Sequence, residues 1–574
     1  MKFKLLAASV AVALSQQAAA ATYQLTELPR HDNSKYSYIT DANEAGDIIG
    51  HASNLFGVKI DVSYIDFEDN DIKNEYESFK DRLENIDEEI TFTLADIENN
   101  NAANTDAQAH AFMLSFLGAR KTVSSFQYQR VITSISLSFT NNSAEEFVVF
   151  DQQSPDYEGL TRSVQNFLTS VSEDGAIAAW GSAPFEKVTF TPEGEDEEQT
   201  YFVRDWSQRG VVIAPSGERV ELLPETNEYG GIAKATDITQ LPNGGYIVVG
   251  QSSTALSQNA QESIDENCDG VDEPIAVCIQ RLGNIYQLRA YQWTLDNNFV
   301  VTDTVDLGLA FTPDEDDDST YSSIAMAVNN NGLAVGYSPA RRQSDDALLR
   351  YEQAVIYQDG ESKRIKEVEY YSEYSQAIDV NDNGVVVGIV GRKNLRTGTP
   401  LDTVGFYYDT QTDTYNTIPS YFEGAEVKIT DINNNGFVIG QAEVEKSGSN
   451  RRREAFVYEI GTEASINLNT LLPCRSDDFP YTVAEAVKIT DDNKIYAIAT
   501  KTVERRNSLG EVETNSNGEI EYESVSLPVL LTPISGEVED CTAPEAETYE
   551  RSSASWSWLS LLALPLVMLR RRRK

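Results

Sequence analysis

Histidine is almost missing from this chain: 574 residues contain three, His31, His51 and His110. A Ser-His-Asp triad would have to draw on those three, and no G-x-S-x-G elbow, H-E-x-x-H helix or phosphate-binding G-x-x-x-x-G-K-[ST] loop occurs. Local motifs therefore supply no catalytic residue. Basic residues are also short, 45 Lys and Arg against 91 Asp and Glu, for a formal charge of −46. Such a surface repels phosphate backbones, which excludes nucleic acid as a partner. There are only four cysteines, an even number that suits an oxidising compartment. Of the three pairings open to them, Cys268 with Cys278 would pin a local loop. Cys474 with Cys541 would tie the last structural unit to the segment that follows it.

Long apolar runs are confined to the two ends. Residues 1–21, MKFKLLAASVAVALSQQAAAA, place Lys2 and Lys4 before an apolar stretch that closes in small residues, the layout of a cleaved secretory signal. At the other end a linker, 542–555, precedes WSWLSLLALPLVML and then Arg570 to Arg573 and Lys574. A helix over that run reaches about 24 Å, a little short of the hydrocarbon core. The terminal basic cluster stays on the cytoplasmic side, which puts the rest of the chain outside the inner membrane.

What the middle of the chain holds is a repeat. AMAVNNNGLAVGYS, AIDVNDNGVVVGIV and ITDINNNGFVIGQA place their turn glycines at Gly332, Gly384 and Gly436, a period of 52, with a second glycine four residues later at Gly336, Gly388 and Gly440. Asn and Gly adopt positive φ at least cost, so Asn-Gly between apolar runs marks a tight hairpin. A second landmark follows in each unit, AVIY from Ala354, GFYY from Gly405 and AFVY from Ala455, aromatic and β-branched runs that read as strands. Weaker copies carry Gly46 and Gly50 with HAFML from His110, Gly175 and Gly181 with TYFV from Thr200, and Gly245 and Gly250 with AYQW from Ala290. In the last copy Lys494 takes the place of the turn glycine, and PVLL from Pro528 is its second landmark. About seven units of about four strands predict an all-β fold over 22–541, a β-propeller of about seven four-stranded blades, with a β-solenoid or an array of small sheets as alternatives. TYQLTELP, from Thr22, is placed to lend a strand to the final blade and close the ring. One insertion, 53–106, departs from the β pattern: Phe79, Leu83 and Ile86 fall at helical spacing and predict a short amphipathic helix on one rim.

The D-x-N-x-x-G-x-x-x-G opening with a later H/x-A-F-x-Y/W resembles the HAF extracellular repeat, which residues 110–112 spell out. Ser552 to Ser555, the short apolar run and the terminal arginines resemble bacterial C-terminal sorting tails of the GlyGly type, although the glycine pair itself is missing. The layout as a whole is similar to an uncharacterised family of secreted Gram-negative proteins. That resemblance implies export to the cell surface or medium and an intramembrane sorting protease acting at the tail 556–574.

One stretch offers metal chemistry. In DENCDGVDE, Asp265, Asn267 and Asp269 alternate as oxygen donors before Gly270, as at the start of a calcium loop, with Asp272 or Glu273 standing in for the missing bidentate glutamate at Ala276. The competing reading is a disulfide-pinned acidic loop without Ca²⁺. The runs EGEDEE, from Glu193, and DEDDD, from Asp314, read as solvated loops. The sequence thus points to an exported repeat protein that binds an envelope protein or polysaccharide without catalysis. The rival is a polysaccharide-cleaving propeller whose carboxylates converge from separate blades and so leave no local motif.

Overall fold

The computed structural model describes residues 22–541, apart from short segments at 64, 121–125, 315, 343–346, 359, 366–370, 394–399, 449–450, 516, 537 and 539–540. The segments read as a signal sequence (1–21), a linker (542–555) and a sorting tail (556–574) lie outside the described residues. Among the described residues no helix is long and apolar enough to cross a membrane.

The run ITDINNNGFVIG shows how the repeat folds. Its apolar residues alternate into two strands, Val427–Ile432 and Phe437–Glu443, joined by a turn in which Gly436 has φ +80°. Two further strands, Arg453–Glu459 and Ile466–Asn467, complete an antiparallel meander. Seven such four-stranded sheets stand in a ring, a seven-bladed β-propeller. In every blade the innermost strand carries a bulge, which in this one falls between Ile429 and Asp431. The bulge explains the second glycine: a Cβ on Gly440 would lie 2.0 Å from the Lys428 carbonyl oxygen.

Ring closure follows the expectation. Thr22–Glu27 pairs antiparallel with Tyr522–Ile534, so the seventh blade combines both ends of the described chain. Both disulfides are present, Cys268–Cys278 and Cys474–Cys541. Apolar clusters fill the wedges between neighbouring blades. One of them joins Val387, Val427, Val438 and Phe456 of blades 5 and 6.

All the large insertions leave a blade between its second and third strands, and therefore share one face, opposite the turns that join first to second strands. Blade 1 carries α1 (Asn70–Glu84), α2 (Leu94–Asn100) and α3 (Ala107–Ala119). Leu83 is buried and Phe79 packs onto the core there, but Ile86 lies past the end of α1 and is exposed. Blade 2 carries a side hairpin, Glu186–Phe190 with Gln199–Val203. Blade 3 carries a second helical insertion, α4 (Gln258–Asn267) and α5 (Ile275–Leu282).

Several landmarks move. The literal HAF at 110–112 lies inside α3, with His110 and Phe112 buried. The insertion of blade 1 runs past 106, and the blade's third strand begins only at Ser134. TYFV belongs to the side hairpin, and Arg209–Ile213 is the third strand of blade 2. The residue of blade 2 opposite the bulge is Ala179 rather than Gly181. Positive φ falls on Gly244 rather than Gly245, and in blade 7 on Asn493, one residue before Lys494.

Candidate functional site: the mouth of the axial channel

The first turns of the seven blades surround the axis and enclose a cavity of about 620 Å³. Asparagine builds its rim. The Asn381 side-chain oxygen accepts the backbone N–H groups of Asn383 and Val385, which caps its own turn. Its amide nitrogen donates to the carbonyl of Asn433 in the next blade at 3.0 Å. Asn329 reaches Asn381 in the same way, and Asn433 reaches Thr490. One side chain thus satisfies a turn and latches two blades, which is why three asparagines crowd into DINNNG. A second, exposed girdle repeats the idea: Asp382 N–H donates to Asn434, and Asn434 N–H to Asp491.

Deeper in the mouth, the residue just after each bulge forms a ring. Reading around the blades it is Asp41, Ser170, Asp237, Ala327, Asp379, Asp431 and Lys488. Each carboxylate accepts a backbone N–H from the following blade: Asp41 from Val171 (2.9 Å), Asp237 from Val328 (2.8 Å), Asp379 from Ile432 (3.0 Å) and Asp431 from Ile489 (2.7 Å). Ser170 donates to Asp237 at 2.6 Å. Lys488 Nζ lies 3.0 Å from Asp431 and 3.8 Å from Asp41. Burial pushes the Asp41 carboxyl up to about 6, and raises Asp237 as well. Asp379 is raised by burial and further by the charge of Asp431. Burial alone would lower Lys488, but the carboxylates of Asp431, Asp41 and Asp379 outweigh it and hold the ammonium charged. Chemically, the mouth gathers four carboxyl groups, three of them with raised pKa values, around one cation.

The residues expected to bind calcium lie elsewhere, on the helical insertion of blade 3. Asp265 and Asn267 fall on the last turn of α4, where Asp265 accepts from Gln261 and the Asn267 amide donates to the Ser263 carbonyl. Asp269 accepts the Val271 N–H, and Glu273 pairs with Arg281 at 2.5 Å. Asn267, Asp269, Asp272 and Glu273 line a cavity of about 530 Å³ beside the Cys268–Cys278 bridge, and Asp265 is not part of its wall. Among the described residues no three His, Cys, Asp or Glu groups are gathered to hold a metal ion. His110 is buried against the Val58 carbonyl at 2.9 Å, and His51 stacks on Tyr38.

Sequence reasoning did not single out the carboxylate ring. Its signal is the aspartate two places before the turn asparagine, in TDAN, IDVN and TDIN, with TDIT in the longer first hairpin of blade 3. Only a column aligned across all the blades exposes it, because its members lie some fifty to a hundred and thirty residues apart.

A closed β-propeller with an acidic axial mouth is the class of protein that this fold and site define. Over residues 1–572 the chain belongs to the family described as protein of unknown function DUF3466. A search of curated proteins returns no match. Among solved structures, it is similar to a protein of unknown function from Dyadobacter fermentans (12% identity, 65% of this chain and 99% of that one, TM-score 0.30). It is also similar to the β-propeller domain of the trilobed protease of Pyrococcus furiosus (8%, 65% and 99%, TM-score 0.29) and to dipeptidyl peptidase 4 of Porphyromonas gingivalis (10%, 69% and 60%, TM-score 0.32). None of these likenesses bears on the chemistry of the mouth.

Proposed function

We propose that this chain is an exported, envelope-associated propeller that binds a partner without catalysis, its insertion-bearing face meeting an envelope polysaccharide or protein. The observation that carries the reading is the commitment of the axial carboxylates. All four already accept a backbone N–H from the neighbouring blade, so they serve as fasteners of the ring. Export is supported by the amino-terminal signal, by the sorting-type tail that an intramembrane protease would process, and by two disulfides of a kind that persists outside the cytoplasm. Insertions on a rigid scaffold are where binding surfaces are usually built.

A second reading has one observation in its favour. The Asp41 carboxyl, pushed up to about 6 beside other acidic groups, has the unequal pairing that acid–base cleavage of glycosidic bonds requires. The test follows the full chain in its host: protease shaving of whole cells, with and without the tail, alongside incubation of purified protein with envelope polysaccharides. Surface exposure, retention on envelope material and no release of shorter chains are expected. Chain shortening that is abolished in Asp41→Asn would replace this reading with the enzymatic one.

A further inference from the structure

Three residues before the carboxylate column, each innermost strand contributes to a second column; across the bulge this is two paired positions, about 7 Å nearer the insertion-bearing face at ~3.3 Å per position. Blades 1 to 3 place Tyr38, Phe167 and Lys234 there, paired across strands with His51, Trp180 and Gln251. The far side of the axis carries Gln376, Lys428 and Glu485, of which the last two form an ion pair at 2.5 Å. The acidic column is thus followed, toward the insertion-bearing face, by one that is aromatic in blades 1 and 2.

The aromatic arc differs from core packing. Phe167 and Trp180 stack with ring centroids 4.3 Å apart and planes 22° from parallel, and Tyr38 and His51 stack at 4.7 Å and 20°. Phe406 and Phe456, which fill the wedges, are 0% and 1% exposed, whereas Phe167 is 37% exposed. Lys234 Nζ stands 5.1 Å from the centroid of Trp180 and makes no hydrogen bond or ion pair with any described residue. In a chain of net charge −46, an ammonium with no carboxylate partner beside a stacked pair of rings is an unusual arrangement.

We propose that this arc is the subsite for one anionic sugar unit of an extracellular polysaccharide, the Phe167–Trp180 pair receiving the apolar face of the pyranose and Lys234 its charged group. The sugar's carboxylate or sulfate supplies the counter-charge that Lys234 lacks in the chain. The aromatic faces meet the sugar's C–H groups, and an apolar contact against π electrons strengthens beside a cation. This deepens the binding reading above and rests on it.

The test uses the purified full chain and three polymers, polygalacturonate (carboxylate), dextran sulfate (sulfate) and dextran (neutral), in affinity electrophoresis and thermophoresis. At least one charged polymer is expected to bind, and which one identifies the anionic group; dextran is not expected to bind. Trp180→Ala and Lys234→Gln should each weaken binding about tenfold, while Lys234→Arg and the exposed control Lys363→Gln keep it. Phe167→Ala, at a more exposed ring, serves if Trp180→Ala lowers the melting temperature. Equal binding of dextran, no binding of either charged polymer, or unchanged affinity in Lys234→Gln would overturn the proposal. Envelope retention of Lys234→Gln is read in parallel. If polymer affinity and retention both match the unmutated protein, the subsite is wrong and the envelope reading stands.

Discussion

Two seams of the ring are held by different means. Between blades 5 and 6, Asn381, Asp382 and Asn383 all bond to the turn of the next copy, at sequence separations of 51 and 52, and Asp379 takes the Ile432 N–H beneath them. Between blades 7 and 1 the asparagine latch and the carboxylate fastener stop, and only the backbone bond of the outer girdle continues, with a glutamate as its acceptor. The buried apolar residues of that cluster are Ile39, Ala42 and Tyr496. Charges take over: Lys488 faces Asp41, Lys35 pairs with Glu523 at 2.5 Å, and the Asp491 N–H reaches Glu44. The hairpin tip of blade 7 also docks on the insertion of blade 1, where Gly57 N–H donates to Ser508 and Ser508 donates to Ala107. A repeat that latches onto its own copy joins any number of blades without further invention. Where the first and last copies meet, separate parts are needed, and the chain spends its charges there, while a disulfide ties the closing blade itself together.

The largest expected effect comes from that disulfide. Cys474–Cys541 spans 67 residues, which include three strands of the closing blade, whereas Cys268–Cys278 spans 10. Loop-closure entropy assigns about 4 kcal/mol to the first and about 2.7 kcal/mol to the second. Replacing Cys474 and Cys541 by serine should lower the urea midpoint more than replacing the local pair, and should expose Thr22–Glu27 to proteolysis first. Equal losses would mean that the closing blade has no special need of its staple.

A smaller effect should appear as a pH dependence at the same seam. The Asp41 carboxyl is raised from its usual value to about 6, so the folded protein holds a proton there that the unfolded chain releases. Its contribution to stability is greatest below pH 4 and is lost as the pH rises through 6, on the order of 3 kcal/mol in all. The three histidines, lowered by burial, work in the opposite direction over part of this range. The informative quantity is therefore the difference between the unmutated protein and Asp41→Asn, which keeps an acceptor for Val171. Melting temperatures of the two should converge at pH 5 and separate by pH 7.5, with Asp41→Asn the more stable.

The ring, its closure by Thr22–Glu27 and both disulfide pairings were legible because each leaves a local or periodic trace: Asn-Gly turns 52 residues apart, an orphan apolar strand, and an even set of cysteines. The carboxylate ring was not. Each of its aspartates lies inside a turn motif that already explains it, and only the bulge register shows that they meet. The second helical insertion was hidden for a related reason. Oxygen-rich residues in ESIDENCDG drew attention to a metal loop and hid the helix in which Asp265 and Asn267 form the last turn, capped at its start by Ser257, whose side chain accepts from Ala260. HAF at 110–112 looked like a strand by analogy with AVIY and AFVY, yet it follows Asp106, whose side chain caps α3, and it packs among Phe92, Phe116 and Ile97.

The smallest effect isolates what the turn asparagine adds beyond a cap. The chain contains its own partial substitutions: Ser172 in blade 2 and Thr490 in blade 7 occupy the Asn381 position. Their hydroxyls accept the N–H groups of Ala176 and Lys494, each at 3.0 Å, so they cap their turns but make no reach to the following carbonyl. Asn381→Ser should therefore keep the cap and lose the latch to Asn433, at a cost of about 1 kcal/mol, while Asn381→Ala should lose both and cost about 2 kcal/mol. Urea unfolding of the two variants beside the unmutated protein measures the difference. If serine costs nothing beside the unmutated protein, the asparagine serves its own turn only, and the blades of the regular run are joined by their apolar wedges and carboxylates alone.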